Sequence, residues 1–283
     1  MEIKSLSKTS FDDLFETFTQ AFAHYEVQLN KEELRTMLQR RGFNPALSFG
    51  AFEENRMVSF TCNGIGDFYG TLTAYDTGTG TLKSHQGKGL ATQVFEYSIP
   101  FLKKAGVKSY VLEVLQHNTT AVSVYRKLGF KETREFYYFT QESHLIENRS
   151  KKINLSYELL PITLNDAESL SSFWDFRPSW QNSFESINRA LKDFKTLGAF
   201  HQNRLIGYIV FEPKSGDVAQ IAVDKMFRRK GIGTVLLEMV LNLNQCQSVK
   251  VINTDISSHS LTDFLKSKNI HPIGKQFEMI KEL

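Results

Sequence analysis

The stretch Gln86-Gly87-Lys88-Gly89-Leu90-Ala91 returns later in the chain as Arg228-Arg229-Lys230-Gly231-Ile232-Gly233. Both read Gln/Arg-x-x-Gly-x-Gly/Ala. Each follows a run of extended character and opens an apolar run at helical spacing, over 90–102 and 232–243. A strand, a glycine loop and a helix N-terminus together form a phosphate site. The glycines let backbone approach closely, successive N–H groups point at the anion, and the helix dipole adds favourable charge. Recurrence in a matching context predicts two copies of one nucleotide-cofactor domain. Neither loop is a Walker loop, which needs Gly-Lys-Ser/Thr after four spacers. Neither is a dinucleotide fingerprint, Gly-x-Gly-x-x-Gly with an acidic residue roughly 20 positions on.

Working outward, the two halves follow one order of elements. In the first, 2–6 reads as a strand, 11–22 and 31–38 as helices, and 46–52, 57–62 and 72–82 as strands. After the loop come a helix to about 104, a strand over 109–115, a helix over 119–128 and a strand over 137–140. The polar stretch 142–150 lacks periodicity and is expected to link the halves. In the second half, 153–160 reads as a strand, 166–176 and 184–194 as helices, and 197–202, 205–211 and 218–223 as strands. A helix to about 243, a strand over 248–254, a helix over 260–266 and a strand over 276–280 complete it. The expected domains are 1–145 and 152–283. Each is α+β with a mixed central sheet, and helices cover both sheet faces because Val111, Leu112 and Val114, and Ile221, Ala222 and Val223, are apolar with little alternation.

Composition fits this picture. The chain has 283 residues, 41% hydrophobic and 23% charged, as ordinary globular proteins do, and this length accommodates about two domains. A net charge of +3 without a dense Lys/Arg stripe argues against a nucleic-acid partner. The basic residues Lys88, Arg228, Arg229 and Lys230 gather at the loops, which suits a small anion. Two cysteines, Cys62 and Cys246, are too few for a disulfide framework or a metal site and read as buried, reduced thiols. No apolar run approaches the ~20 residues of a membrane span, and the start Met-Glu-Ile-Lys-Ser does not read as a signal peptide. A cytoplasmic protein without membrane or metal partners is expected.

A second constellation follows the strand over 109–115: Asn118-Thr-Thr-Ala121-Val-Ser-Val-Tyr125-Arg-Lys-Leu-Gly129-Phe130. Asn118 can cap a helix and Gly129 can end it with positive φ. Asn118, Ala121 and Tyr125 share one helical face, where a small Ala between an amide and a phenol leaves a groove for a slender ligand. On spacing alone, an amphipathic core tyrosine and a plain cap explain the pattern as well.

Together these residues resemble the GNAT family of N-acetyltransferases. The first half matches in order: a long strand, the loop with Gln86, Gly87, Lys88, Gly89, Leu90 and Ala91, a central strand, then Asn118, Ala121, Tyr125 and Gly129-Phe130. The resemblance implies two tandem acyl-CoA N-acyltransferase domains, with acetyl-CoA lying in a V-shaped opening between two central strands. Backbone N–H groups of Gln86 to Ala91 and of Thr92 would hold its pyrophosphate. The strand edge at Gly80, Thr81 and Leu82 would pair with its pantetheine arm, Asn118 would contact that arm, and Tyr125 would stand near the thioester sulfur. In the second half the strand residues Ile221, Ala222 and Val223 and the loop Arg228, Arg229, Lys230, Gly231, Ile232, Gly233 and Thr234 match well. The later motif does not. Ser258, Leu261 and Leu265 fall where Asn118, Ala121 and Tyr125 stand, and no phenol is available.

The implied activity is transfer of an acetyl group to a primary amine by direct attack in a ternary complex, on a small-molecule or peptide acceptor. Such a reaction needs an oxyanion donor, a base for the amine and an acid for the departing thiolate. Tyr125, with a free pKa near 10, is the candidate acid, and backbone at Val114 or Leu115 the candidate oxyanion donor. Glu113 and Asp76 are the candidate bases, and His117 reads as a surface residue. Aromatic residues Phe68, Tyr69 and Tyr75, and Trp174, Phe176 and Trp180, lie where this family builds acceptor pockets. A CoA-binding regulatory or pseudo-enzyme module without turnover is the alternative. A monomer with pseudo-dimeric halves and a homodimer both fit.

Overall fold

A computed structural model describes residues 1–23, 28–147 and 155–283. In chain order the elements are β1 (Glu2–Ser5), α1 (Phe11–Ala21), α2 (Lys31–Arg40), β2 (Phe49–Glu53), β3 (Arg56–Phe68), β4 (Thr71–Thr81), α3 (Leu90–Lys104), β5 (Ser109–Leu115), α4 (Thr119–Lys127) and β6 (Lys131–Glu142). The second series is β7 (Glu158–Pro161), α5 (Leu164–Glu168), α6 (Phe184–Arg189), β8 (Lys195–His201), β9 (Arg204–Glu212), β10 (Asp217–Val223), α7 (Ile232–Leu243), β11 (Ser248–Asp255), α8 (His259–Lys266) and β12 (Pro272–Glu282). Part of the expected linker, 148–150, and the start of the expected strand, 153–154, lie outside the described residues.

The chain forms two compact units. The first comprises Met1–Val114, Asn118–Thr133 and Glu278–Leu283, and the second Leu115–His117 and Arg134–Phe277. The halves read from the sequence are contiguous, whereas these units are not. The closing residues of the chain are held inside the first unit, where Leu283 N–H donates to Lys108 O at 2.9 Å and Thr133 Oγ1 donates to Glu278 Oε1 at 3.0 Å.

In the first unit β1 to β4 run antiparallel to their neighbours and β4 runs parallel to β5, the mixed pattern expected. The β3 strand explains why helices lie on both faces. Met57, Phe60 and Cys62 pack with Leu14, Phe18, Leu34 and Leu38 of α1 and α2, while Val58 packs with Leu90 and Val94 of α3. Helix α2 begins with a capping box in which Asn30 and Glu33 satisfy each other's backbone N–H groups. Gly64 is fixed by close approach, since a Cβ there would sit 2.0 Å from Arg41 O. Gly64→Ala is expected to destabilise the protein by about 2–4 kcal/mol in urea unfolding, as overpacking against backbone does. Gly70→Ala, in open space at φ +85°, should cost only the ~1 kcal/mol of a left-handed alanine.

The second unit repeats the plan. Along β9, Tyr208 and Val210 face Leu164, Phe184 and Ile187 of α5 and α6, whereas Ile209 and Phe211 face Leu236, Leu237 and Val240 of α7. Two helices are shorter than the sequence suggests. The expected helix 166–176 ends at Glu168, because Ser171 and Ser172 compete for backbone and Arg177 precedes Pro178, a position that disfavours helix. The expected helix 184–194 ends at Arg189, and a short 3₁₀ turn over Leu191–Asp193 leads into β8. Cys62 is buried and burial pushes its thiol well above the ordinary range. Cys246 is only half-buried, against the expectation of two buried thiols, and both are free.

Candidate active site and its counterpart in the second unit

The site of the first unit starts where β4 and β5 stop pairing. Their register runs from Thr73↔Ser109 to Tyr75↔Val111 and goes no further. At Thr77 an extra residue bulges out of β4, between the pairs Cys62↔Gly78 and Asn63↔Asp76. Beyond Tyr75, the backbone edge of Asp76, Thr77, Gly78, Thr79, Gly80 and Thr81 has no β5 residue paired to it. The glycines of this stretch have a packing cause on the other side. A Cβ at Gly78 would lie 2.9 Å from the Phe18 ring, and one at Gly80 would lie 2.7 Å from the Phe60 ring.

The glycine loop lies at the end of that edge. Gln86 Nε2 donates to Thr81 O at 3.2 Å, which folds the loop back onto β4. Gly87 and Gly89 have φ of +77° and +72°, and Gly89 is the N-cap of α3. The first helical bond is from Gln93 N–H to Gly89 O at 3.1 Å. The N–H groups of Gly87, Lys88, Gly89, Leu90, Ala91 and Thr92 therefore have no acceptor among the described residues. Unsatisfied donors at a helix start, on an exposed loop carrying Lys88, fit a phosphate group.

Asn118 caps α4, its Oδ1 accepting from Ala121 N–H at 3.2 Å. Two turns on, Tyr125 is half-buried and packs edge-on against Phe130 at 5.6 Å between ring centres. Its hydroxyl donates to Asp76 Oδ2 at 3.0 Å. Asp76 also accepts from Thr79 Oγ1 at 2.9 Å and from Gly78 N–H at 2.9 Å. Burial raises the Asp76 carboxyl above its usual 3.8, outweighing those hydrogen bonds and the charge of Arg41, which pull it down. Glu113 accepts from the buried Tyr75 hydroxyl at 2.6 Å. Burial, and then the Glu113 charge, push the Tyr75 phenol well above its usual value. The described hydrogen bonds thus join the expected acid, Tyr125, to Asp76, and join Glu113 to Tyr75. Asn63, which no sequence signal marks, is buried on β3, accepts from Tyr110 Oη and donates to Leu47 O at 2.6 Å.

Among the expected acceptor-side aromatics, Tyr69 is exposed and stacks near Phe68, with ring centres 4.7 Å apart, whereas Tyr75 is buried. Trp180 is fully buried under Arg189, whose guanidinium lies 5.3 Å from the ring centre. His117 is exposed.

The second unit repeats this geometry with different chemistry. The pair β10–β11 joins at Asp217↔Lys250. An extra residue bulges at Ala219, nine positions before Arg228 just as Thr77 is nine before Gln86. Arg229 and Gly231 take φ of +62° and +92°, matching Gly87 and Gly89, and Gly231 caps α7. Arg228 Nε donates to Val223 O at 3.1 Å, as Gln86 does to Thr81 O. Its remaining nitrogens reach Asp175 Oδ1 at 2.9 Å and Phe173 O at 2.8 Å, so this cation braces the loop against the wall, while Arg229 and Lys230 are exposed. A cavity of about 930 Å³ opens here, lined by Ile221, Ala222, Val223 and all of 228–234, with Trp174 and Phe176. The residues answering to Asp76 and Tyr125 are Val218 and Leu265, both buried in apolar surroundings. Among the described residues no group of His, Cys, Asp and Glu is placed to hold a metal ion, and no helix is long and apolar enough to cross a membrane.

Two parallel-strand openings, each followed by a glycine loop and a helix start, define a tandem acyltransferase fold. The sequence profile of the Acetyltransferase (GNAT) family matches residues 11–130, and that of the Acetyltransferase (GNAT) domain matches 165–268. The chain belongs to the GNAT acetyltransferase family, with two GNAT domains, each a mixed sheet flanked by helices. It is 30% identical over 94 residues to N-alpha-acetyltransferase 30 of Schizosaccharomyces pombe, covering 33% of this chain and 63% of that protein. It is 30% identical over 124 residues to mycothiol acetyltransferase of Catenulispora acidiphila, covering 41% of this chain and 38% of that protein. These matches thus span less than two thirds of either relative. A tandem GNAT protein from the clavulanic acid biosynthesis pathway superposes with a TM-score of 0.75 at 14% identity, over 99% of this chain and 98% of that one, which shows a shared fold.

Proposed function

We propose that the chain is an acetyl-CoA-dependent N-acetyltransferase, and that the first unit carries out the transfer to a primary amine by direct attack in a ternary complex. The observation that supports this most is the Tyr125–Asp76 hydrogen bond, a phenol and a carboxylate held together just past the last β4–β5 pair. The loop donors of Gly87, Lys88, Gly89, Leu90, Ala91 and Thr92, with Gln86 folding the loop back onto β4, the open strand edge at Gly80, Thr81 and Leu82, and Asn118 and Ala121 are suited to hold CoA. Acetyl-CoA, when bound, supplies the acetyl group and departs as the free thiol. Tyr125 gives its proton at the sulfur, and a carboxylate takes one from the amine nitrogen. Asp76, already on the Tyr125 hydroxyl, is placed to restore the Tyr125 proton. Glu113, held by Tyr75, is the second acceptor for the amine proton. The acceptor is a small-molecule or peptide amine, the latter in keeping with the names of the N-alpha-acetyltransferase relatives. We assign the repeats to 1–145 and 152–283, with the chain's final strand residues exchanged into the first unit.

The test is thiol release from acetyl-CoA with a panel of small amines and peptides bearing free α-amino groups. Release with no amine above the blank, from a protein that binds CoA, would overturn the transferase reading. Gly89→Glu is expected to weaken CoA binding to the first unit at least tenfold, about 1.4 kcal/mol, by putting a charged side chain at the helix start. Unchanged affinity would remove the loop from the site. For the second unit, the apolar pair Val218 and Leu265 favours binding without turnover, through Ile221, Ala222, Val223 and the loop 228–234.

A further inference from the structure

We propose that the cavity of the second unit holds a CoA thioester whose acyl chain is longer than acetyl, and holds it without transferring it. The inference rests on the reading that each glycine loop takes the CoA diphosphate, and it concerns what the rest of the cavity recognises.

Two hydroxyls mark the cavity as a ligand site independently of the loop. Ser258 is 4% exposed and Thr254 1% exposed, and both line the cavity. Neither Oγ has a hydrogen-bond partner among the described residues. Ser258 is the N-cap of α8, as Asn118 is of α4, yet its side chain makes no cap bond. Buried hydroxyls are normally paired, and two left unpaired on residues that line one cavity point to polar atoms of a bound molecule. The amides of a CoA arm running from the loop supply such atoms.

The acyl end meets hydrocarbon. Val218, which lines the cavity, lies on the strand ten positions before the first loop residue, where the first unit carries Asp76, and Leu265, buried in the core and not among the lining residues, lies seven positions after the α8 cap, where it carries Tyr125. One wall carries Phe173, Trp174 and Tyr208. Its polar atoms are turned on one another: Trp174 Nε1 donates to Tyr208 Oη at 2.6 Å, Tyr208 Oη donates to Gln220 Oε1 at 2.8 Å, and Gln220 Nε2 donates to Asn182 O at 2.7 Å. What remains for a ligand is ring and methyl surface. Among the described lining residues the acidic one is Asp175, and Arg228 holds it. An amine entering here would find no free base, and a departing thiolate no phenol at the Leu265 position. A cavity of about 930 Å³ is near the top of the ~300–1,000 Å³ range of small-molecule sites. An acetyl group would leave the aromatic wall bare, whereas each added CH₂ buries more apolar surface.

The experiment is calorimetric titration of the full chain carrying Gly89→Glu, with CoA, acetyl-CoA and octanoyl-CoA, beside a thermal melt. One high-affinity site is expected, binding octanoyl-CoA at least tenfold tighter than acetyl-CoA, with no thiol release that depends on Arg229 and Lys230 on adding the amine panel. Val218→Thr, equal in size but polar, should reduce that preference threefold or more. Arg229→Glu with Lys230→Glu should weaken all three ligands alike. The wild-type chain and this double variant are titrated in parallel with octanoyl-CoA, so the result does not hang on the folding of the Gly89 variant. Equal affinity for acetyl-CoA and octanoyl-CoA would overturn the acyl preference. Absence of any binding sensitive to Arg229 and Lys230 would overturn the site, and thiol release by the Gly89→Glu chain that Arg229→Glu with Lys230→Glu abolishes would overturn retention without transfer. Wild-type thiol release with acetyl-CoA tests the proposed activity separately: its loss with octanoyl-CoA binding intact would sink that activity and leave this site standing.

Discussion

Tyr125→Phe is expected to lower kcat on the order of 10²-fold or more with an active amine, because the sulfur then leaves without a proton donor. That factor corresponds to about 2.7 kcal/mol of transition-state stabilisation. The ring stays packed against Phe130, so CoA affinity and melting temperature should change little. The hydroxyl that is lost donates to Asp76 Oδ2, so the variant also leaves Asp76 with two of its described donors, Thr79 and Gly78. Steady-state kinetics beside a thermal melt separates the roles. A packing tyrosine would leave kcat intact, and that result would end the acid assignment.

Asp76→Asn should lower kcat by roughly 10²–10³-fold, since an amide can neither take a proton nor return one to Tyr125. This variant also carries a stability signature that follows from the burial of Asp76. The folded-state pKa of Asp76 lies above its usual 3.8, chiefly through burial. The folded protein therefore keeps this proton at pH values where the unfolded chain has lost it. Its contribution to stability is fully present below about pH 3.8 and is lost as pH rises through the raised folded value. Asn does not titrate. The melting-temperature difference, variant minus wild type, should grow more positive across that window and then level off. An inactive variant that is at least as stable at neutral pH would identify a carboxylate kept at a cost for chemistry. A variant that is inactive only because it melts earlier would refute the assignment.

Much of the fold was legible because it is written in local patterns. The two glycine loops need positive φ where the chain turns into a helix, and Gly87, Gly89 and Gly231 provide it, with Arg229 adopting it as well. The strand over Ser109–Leu115 and the helices α3 and α7 carry their own periodicity, so they stand where the sequence puts them. Asn118 and Tyr125 share a helical face by spacing alone. Where local signals conflict, as at Ser171–Phe173 before Pro178, the expected helix gave way to short turns.

The sequence by itself therefore determined the repeat, the mixed-sheet domains, the loops and the family they belong to, since each follows from residues close together in the chain. Only the tertiary structure decided which carboxylate meets Tyr125, because Asp76 is 49 residues away and reaches it through the β4 bulge and the packing of α4. It also decided that Glu113 is held by Tyr75 and that Arg228 braces a wall. The closing residues Glu278–Leu283 fall within the first unit for the same reason. Hydrogen bonding and strand pairing act through space between residues far apart in the chain, and helical or strand periodicity carries no record of such partners.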